Sequence, residues 1–156
     1  MDKESQKVVS SLKETFHKLD SLYDVYAKSV GLNFITILVL QLLDDSLQVY
    51  TQKDVCEKLD LPKQLVNSII KSLWEQGYVQ LKEAKDRRNK DIIVTDKGRV
   101  YILNILKPLT DAESAAWEGF GAGEILQCAN TMEKYARAFE HVLQETQKAI
   151  PAALIR

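Results

Sequence analysis

The chain has 156 residues, of which 46% are hydrophobic and 28% charged, and its net charge is −1 at pH 7. These values indicate one soluble globular domain with a substantial core. The longest apolar stretch, residues 34–43, is too short to cross a bilayer, and the charged N-terminus predicts no secretory signal. Cys56 and Cys128 lie far apart without C-x-x-C spacing, which predicts a reducing compartment. We therefore expect a cytoplasmic protein without a membrane partner.

Two helices are predicted at the start of the chain. The first has an apolar seam in which the spacings alternate between three and four residues. Its members are Val9, Leu12, Phe16, Leu19, Tyr23, Tyr26 and Val30. Asn33 is the predicted N-cap of the second helix, which ends near Leu43 because Asp44, Asp45 and Ser46 follow. With only three prolines and six glycines in the chain, the fold class is expected to be mainly α.

A third and a fourth helix are predicted to form a helix-turn-helix. Thr51 and Asp54 have the spacing of a capping box at the start of the third helix. A short turn leads to Pro62, which suits the first turn of the fourth helix. A buried stripe at helical spacing follows, made of Val66, Ile69, Ile70 and Leu73. Gly77 is the residue expected to end this helix in a left-handed conformation.

A β-hairpin with a basic tip is predicted next. Residues 78–81 and 92–95 are the two strands, and residues 82–90 form a polar, mostly cationic loop. Residues 62–90 contain seven Lys/Arg and three Asp/Glu. By contrast, residues 1–50 contain five Lys/Arg and seven Asp/Glu, and so do residues 101–156. A solvated helix face beside an ordinary charged hairpin is the simpler interpretation. The order of elements and the concentration of positive charge favour a winged helix that binds DNA.

The remainder of the chain is predicted to be helical. Asp96 caps a fifth helix, which Pro108 is expected to interrupt or bend. The glycine-containing segment 119–123 is predicted to be a link between helices, because a phosphate-binding loop would need a preceding strand and a following Lys-Ser/Thr pair. The last helix has a second apolar seam, formed by Ile125, Ala129, Met132, Ala136, Phe139 and Leu143.

Two segments of the sequence resemble the MarR family of transcriptional regulators. Residues 86–98, DRRNKDIIVTDKG, resemble the family's wing signature, in which Asp86, Arg88, Thr95 and Gly98 fall in register. Residues 73–79, LWEQGYV, resemble its L-E-x-x-G-L-V segment. The order of elements is similar from about residue 5 to residue 147. The resemblance implies one domain over residues 1–156, in which a winged helix-turn-helix lobe at about 33–98 is flanked by dimerisation helices at about 5–30 and 110–147.

The candidate DNA contacts lie on the fourth helix and the wing. Asn and Gln bind base edges, while Lys and Arg bind phosphate or guanine. Gln64, Asn67 and Ser68 are therefore expected to contact bases, and Lys63 and Lys71 phosphate or guanine. The resemblance implies that Arg88 reaches toward the minor groove. Lys85 and Arg87 supply further charge, as do Lys82 and Lys90 unless these two are merely exposed to solvent. Asp86 is expected to pair with an arginine and to stabilise the wing.

The resemblance also implies a homodimer. The residues expected at its interface are Leu12, Phe16, Leu19, Tyr23, Met132, Phe139 and Leu143. Packing of both seams inside one subunit is the alternative. A two-fold dimer would place its two fourth helices about 34 Å apart on a palindromic duplex. The family often binds small aromatic effectors, which makes such a molecule a further expected partner, although buried aromatic residues are more commonly ordinary core.

The sequence contains no combination of residues that predicts an enzyme. His17 and His141 are expected at the surface or an interface, because a zinc site needs three or four ligands. Cys56 and Cys128 are expected to be buried and inert rather than redox switches. We therefore predict no cofactor, no metal and no catalytic residue. The predicted function is that of a DNA-binding regulator, as a repressor. A protein-interaction module with little DNA affinity is the alternative, which Trp74, Leu81 and the slightly acidic overall charge favour.

Overall fold

The computed structural model describes residues 2–45, 48–83 and 89–149. Within these ranges the elements are α1 (Lys3–Ser29), α2 (Phe34–Leu43), β1 (Tyr50–Thr51), α3 (Gln52–Leu59), α4 (Lys63–Glu75), β2 (Val79–Glu83), β3 (Lys90–Val94), α5 (Asp96–Trp117) and α6 (Ala122–Ala149). The chain forms two compact units, residues 1–111 and 112–156. The predicted class, mainly α with a small β wing, is confirmed.

The ends of α2, α3 and α4 follow the predicted caps. At α5 the prediction was wrong, because Asp96 lies inside the first turn and the Thr95 hydroxyl accepts from the Gly98 N–H at 3.0 Å. The Asn33 side chain accepts a hydrogen bond from the Thr36 N–H at 2.8 Å and starts α2. At α3, the Thr51 N–H donates to the Asp54 carboxylate at 2.7 Å, and the Asp54 N–H donates to the Thr51 hydroxyl at 3.2 Å. Gly77, with a φ of 75°, follows α4 in the left-handed region. These bonds satisfy amide groups that a helix end otherwise leaves without partners.

The sheet has three antiparallel strands in the order β1-β3-β2. Strand β2 pairs with β3 from Val79–Val94 to Glu83–Lys90, so both strands extend further toward the wing tip than predicted. On the other edge of β3, the two-residue strand β1 pairs Tyr50 with Ile92. The prediction of a two-stranded hairpin was therefore incomplete. Two residues are too few for the alternating pattern by which strands are identified in a sequence.

The core of the first unit lies between α2, α4, α5 and the inner face of the sheet. The predicted stripe of α4 is buried, with exposed fractions from 0% at Val66 to 7% at Ile69. Ile37 and Leu40 of α2 and Ile102 of α5 are also at most 1% exposed. Burial of one face of α4 against this core leaves its opposite face in solvent.

Helix α5 continues through Pro108, so the predicted interruption does not occur, and the predicted alternative, a bend at Pro108, stays a prediction. A proline in a helix cannot donate to the carbonyl four residues before it. Next to that gap, the Tyr26 hydroxyl of α1 donates to the Ile105 carbonyl at 2.5 Å. Leu106 and Leu109, on either side of Pro108, are both buried and hold the helix against the core. Tertiary contacts thus maintain a helix that local sequence disfavours.

The base of the wing is joined closely to α5. The Thr95 hydroxyl donates to the Gly77 carbonyl at 2.8 Å and accepts from the Gly98 N–H at 3.0 Å. A Cβ on Gly98 would lie 2.0 Å from the Tyr78 carbonyl oxygen, which leaves no room for a side chain there. The Tyr78 and Tyr101 rings stack with their centroids 4.0 Å apart. Thr95 and Gly98 therefore have structural roles at this junction.

The second unit contains the end of α5, the link and α6. The link that connects the two helices is residues 118–121, so Ala122 and Gly123, which were predicted to belong to it, are the first residues of α6. The Gly121 N–H donates to the Glu124 side chain at 2.8 Å at the start of α6. Along α6 most described side chains are exposed, including the apolar Phe139 and Val142.

Among the described residues, no single helix is long and apolar enough to cross a membrane. Only α1 and α2 taken together, with a bend of 82° between them, reach the required length and composition.

Candidate nucleic-acid interface

Helix α4 presents the predicted contact residues on one exposed face. This face carries Lys63, Gln64, Asn67, Ser68 and Lys71, all of which are exposed. The face follows from helical geometry, because the apolar stripe at the intervening positions is buried in the core. The Lys71 ammonium lies 3.7 Å from the Glu75 carboxylate on the same helix. The structure therefore brings these five side chains together, and their contacts with DNA remain predictions.

The turn between α3 and α4 fixes the start of α4, the second helix of the helix-turn-helix. Asp60 has a φ of 49°, in the left-handed region that few residues other than glycine adopt. The Leu61 N–H donates to the Cys56 carbonyl at 3.0 Å, and the Leu61 side chain is half-buried against the core. The helix-turn-helix geometry thus follows from a tight turn, whose left-handed residue was not predicted.

The wing has opposite charges facing each other across its two strands. Lys82 is paired with Asp91, and Glu83 with Lys90, in the register of β2 and β3. The predicted contacts Lys85, Arg87 and Arg88, and the predicted wing-stabilising Asp86, lie outside the described residues. Their roles remain predictions.

A cleft of about 510 Å³ lies between α3, the start of α4 and the tip end of β3 in the wing. Its walls are Gln52, Lys53, Cys56, Glu57, Lys63, Asn89 and Lys90. Sequence reasoning did not include Gln52 or Lys53 among the functional residues. The available signal was the exposed side of α3, where a lysine precedes a glutamate by four positions.

The two cysteines differ from the predicted burial. Cys56 is half-buried, since one side packs against the core while the other borders the cleft. Cys128 is exposed on α6. The helical position of Cys128 beside the apolar seam suggested burial, but this seam is not covered within one chain. His17 and His141 are exposed as well, and no group of three or more His, Cys, Asp or Glu side chains among the described residues is arranged to hold a metal.

A smaller cavity of about 240 Å³ lies between α4, α5 and the start of α2. It is lined by Leu32, Asn33, Thr36, Leu65, Ser68, Ile69, Ser72, Leu73, Gln76 and Tyr101, none of which is charged. Burial raises the pKa of Tyr101 above its usual value, and the neighbouring Tyr78 adds to this effect. The Tyr101 hydroxyl therefore stays protonated at neutral pH and is able to donate a hydrogen bond.

The predicted dimerisation residues differ in exposure. Leu12, Phe16, Tyr23 and Met132 are half-buried. Tyr23 stacks on Phe34 of the same chain, with the centroids 5.1 Å apart, so it contributes to packing within one subunit. Leu19, Phe139 and Leu143 are 47%, 52% and 41% exposed. Further exposed apolar side chains on the same two helices are Val8, Leu22, Val25, Leu126, Tyr135 and Val142.

Comparison with known proteins relates part of the sequence to a known family. A sequence profile of the MarR family matches residues 30–89, the segment from the end of α1 to the residue before β3. No curated protein sequence matches the chain significantly.

Solved structures match over nearly the whole chain. NMB1585, a MarR family regulator from Neisseria meningitidis, is 24% identical, with a TM-score of 0.75 over 88% of this chain and 97% of its own. A MarR family transcriptional regulator from Listeria monocytogenes, complexed with a 26mer DNA, is 19% identical, with a TM-score of 0.67 over 92% and 95%. Bordetella bronchiseptica BpsR, whose DNA binding is regulated by 6-hydroxynicotinic acid, is 16% identical, with a TM-score of 0.64 over 83% and 92%. At these identities the likeness shows the fold. The predicted resemblance is thus confirmed: residues 30–89 match the MarR family, and the chain has the fold of solved MarR family regulators.

Proposed function

We propose that the chain is a sequence-specific DNA-binding transcriptional regulator, which represses transcription by binding a palindromic duplex as a homodimer. The exposed polar face of α4 carries this proposal. An amide side chain on such a face bonds base edges in the major groove, while flanking lysines bind phosphate. The Listeria monocytogenes relative supports the proposal, because its structure was determined with DNA.

Substitution of Asn67 tests base recognition by α4. Each good side-chain contact to a base contributes about 1–3 kcal/mol of discrimination. We therefore expect Asn67→Ala to weaken binding to the native duplex by roughly 5- to 150-fold for each half-site of the palindrome, and to leave binding to a scrambled duplex nearly unchanged. Fluorescence anisotropy with a duplex from upstream of the protein's own coding region gives both values at several salt concentrations.

The exposed Asn104 on α5 provides the matched control. Asn104→Ala removes the same amide outside the proposed interface and should leave both affinities unchanged. Equal effects of the two substitutions would contradict base recognition by α4.

Arg88→Ala tests the wing in the same assay. An unchanged affinity for the duplex would argue against the proposal that the chain is a DNA-binding regulator.

The exposed apolar side chains of α1 and α6 support the homodimer. Large exposed apolar surfaces commonly mark protein–protein contacts. We expect the protein to sediment at twice the chain mass of 17.7 kDa. Phe139→Glu should convert it to a monomer at micromolar concentration, because a charge would be buried without a partner. Val49→Glu, at a position 58% exposed in the first unit, should leave the dimer intact. A monomeric unmodified protein would contradict the proposal.

An effector that releases the duplex is the third part of the proposal. The uncharged cavity beside α4 supports an effector, because a molecule bound there would contact α4, the helix proposed to contact the bases. Ser72→Leu would narrow this cavity. Small aromatic compounds should weaken DNA binding by the unmodified protein and have less effect on Ser72→Leu. If every active compound affects both proteins equally, the effector binds elsewhere.

A protein-interaction module is the second candidate, since Trp74 is 52% exposed on α4. Tryptophan is enriched at the centres of protein interfaces. Trp74→Ala should then reduce partner capture while DNA affinity stays low in all variants. Tight binding of the native duplex by the unmodified protein would reject this candidate.

A further inference from the structure

Three lysines from separate elements border the cleft beside α3. Lys53 lies on α3, Lys63 begins α4, and Lys90 begins β3, so the three come from three different elements. Among the described residues that line the cleft, Glu57 is the one acidic side chain. The local charge is therefore positive, although the whole chain has a net charge of −1. Such a concentration of cations in a concave surface attracts anions more strongly than the same charges on a flat surface.

The position of the cleft relates it to the proposed DNA face. One wall contains Lys63, which also belongs to the exposed face of α4, and another contains Asn89 and Lys90 at the tip end of β3 in the wing. A duplex that contacted both α4 and the wing would have a sugar-phosphate backbone between them. The backbone would then meet the cleft and its third wall, α3.

The Lys53 side chain has an ion-pair partner on its own helix. Its ammonium lies 3.5 Å from the Glu57 carboxylate, one helical turn further along α3, and both side chains are more than 60% exposed. An exposed pair of this kind is weak, because water and salt screen both charges. A phosphate oxygen of DNA would therefore be able to displace the Glu57 carboxylate from Lys53.

We propose that this cleft binds a backbone phosphate of duplex DNA and that Lys53 exchanges its Glu57 partner for that phosphate when the duplex binds. The inference rests on the proposed DNA-binding function. It assigns a role in DNA binding to α3 and makes Glu57 a residue that opposes binding. The contact is with a phosphodiester group and carries no information on base sequence.

Two lysine substitutions test the phosphate contact through its dependence on salt. Because the proposed dimer carries two copies of each lysine, one substitution removes two lysine–phosphate contacts and should reduce the slope of log K against log salt concentration by about 1.8, at about 0.9 per contact. We expect that reduction for Lys53→Ala and for Lys90→Ala, with equal weakening on native and scrambled duplexes. Lys107→Ala is the matched control, because Lys107 also pairs with an acidic residue four positions later and is similarly exposed on α5. Its slope should remain that of the unmodified protein.

Substitution of Glu57 tests the exchange of partners in the opposite direction. Glu57→Gln frees Lys53 and removes the negative charge from the cleft, so binding to both duplexes should become several-fold tighter. Asp111→Asn, which releases Lys107 in the same way, should not change the affinity. Circular dichroism and sedimentation of all the variants would show that fold and assembly are retained.

The outcomes separate this inference from the function on which it rests. Unchanged slopes for Lys53→Ala and Lys90→Ala, with tight binding of the native duplex by the unmodified protein, would overturn the cleft assignment alone. Weakening confined to the native duplex would also overturn it, because base recognition would then be the cause. Unchanged or weaker binding by Glu57→Gln would overturn the exchange of partners. Failure of the unmodified protein to bind any duplex would overturn both proposals.

Discussion

At the scale of single residues, Gly98 is where the fold tolerates least change. A methyl group there would lie 2.0 Å from the Tyr78 carbonyl oxygen and 3.0 Å from the Val94 side chain. Because the first of these neighbours is backbone, the clash is relieved only by moving the start of β2 away from α5. The resemblance to a family motif pointed to this glycine. The close approach of two backbone segments is the physical reason that no side chain fits at this position.

We expect Gly98→Ala to lower the free energy of unfolding by about 2–4 kcal/mol, within the range of overpacked buried sites. Urea denaturation followed by circular dichroism measures this change. Gly123→Ala is the control, since a Cβ there has no neighbour within 4 Å. That substitution, in α6, should be neutral or stabilise the protein by up to about 1 kcal/mol. A neutral effect of Gly98→Ala would show that β2 shifts at no cost.

The Asp54 carboxylate makes the start of α3 sensitive to acid. The hydrogen bond from the Thr51 backbone N–H, with a second from the Thr51 hydroxyl, lowers the pKa of Asp54 below its usual value of 3.8. A lowered pKa in the folded state means that the ionised carboxylate stabilises the fold. This contribution is present above pH 3.8 and is lost as the pH falls through the folded-state pKa.

Asp54→Asn should therefore destabilise the protein at pH 7 by about 1 kcal/mol, the usual effect of a lost helix cap. The difference in melting temperature between Asp54→Asn and the unmodified protein should shrink as the pH is lowered below 3.8. Thermal melts at a series of pH values measure it. Asp20→Asn, at an exposed position of α1, is the control. A difference that persisted unchanged at low pH would refute the role of the charge.

At the scale of elements, the sequence predicted best where local signals agreed. The stripe of α4 and the capping box of α3 could be read directly, because helical spacing and cap chemistry act within a few residues. The sequence did not predict that α5 continues through Pro108, because the Tyr26–Ile105 hydrogen bond beside the proline joins residues 79 positions apart. Likewise, the cleft beside α3 combines three segments, and its shape exists only after β1, β3 and α4 have packed.

Helix α5 should become more stable without its proline. Pro108 is exposed, so Pro108→Ala loses little packing and supplies the missing N–H donor to the Asn104 carbonyl. We expect the free energy of unfolding to rise by about 1–3 kcal/mol, measured by urea denaturation. Pro62→Ala, just before α4, is the matched control and should change stability much less, because an N–H there has no helical partner. A destabilised Pro108→Ala protein would mean that tertiary packing depends on the proline.

At the scale of the whole molecule, the exposed seams of α1 and α6 are the features that one chain leaves incomplete. The sequence predicted both seams, and the structure places Leu19, Phe139 and Leu143 on exposed surfaces. No single-chain pattern distinguishes a partner copy from another part of the same chain. The proposed dimer is therefore tested by changing the spacing between the two half-sites of the duplex.

A rigid two-fold dimer should require a fixed spacing of half-sites. Insertion of about 5 base pairs between the half-sites rotates one of them by half a turn of duplex, so that only one α4 helix meets its site. We expect affinity to fall to that of a single half-site, measured by anisotropy. A spacer of unchanged length and altered sequence is the control. Equal binding to both spacings would contradict a rigid dimer.

Thr51 belongs to two elements at once. It pairs with Asp91 across the sheet, and its backbone and hydroxyl form the cap of α3. The strand β1, which pairs with β3 of the wing, and α3, the first helix of the helix-turn-helix, are therefore connected through a single residue. Folding itself orders β3 and α3, two walls of the cleft, relative to each other, so a duplex would meet a preorganised surface and little conformational entropy would be lost on association.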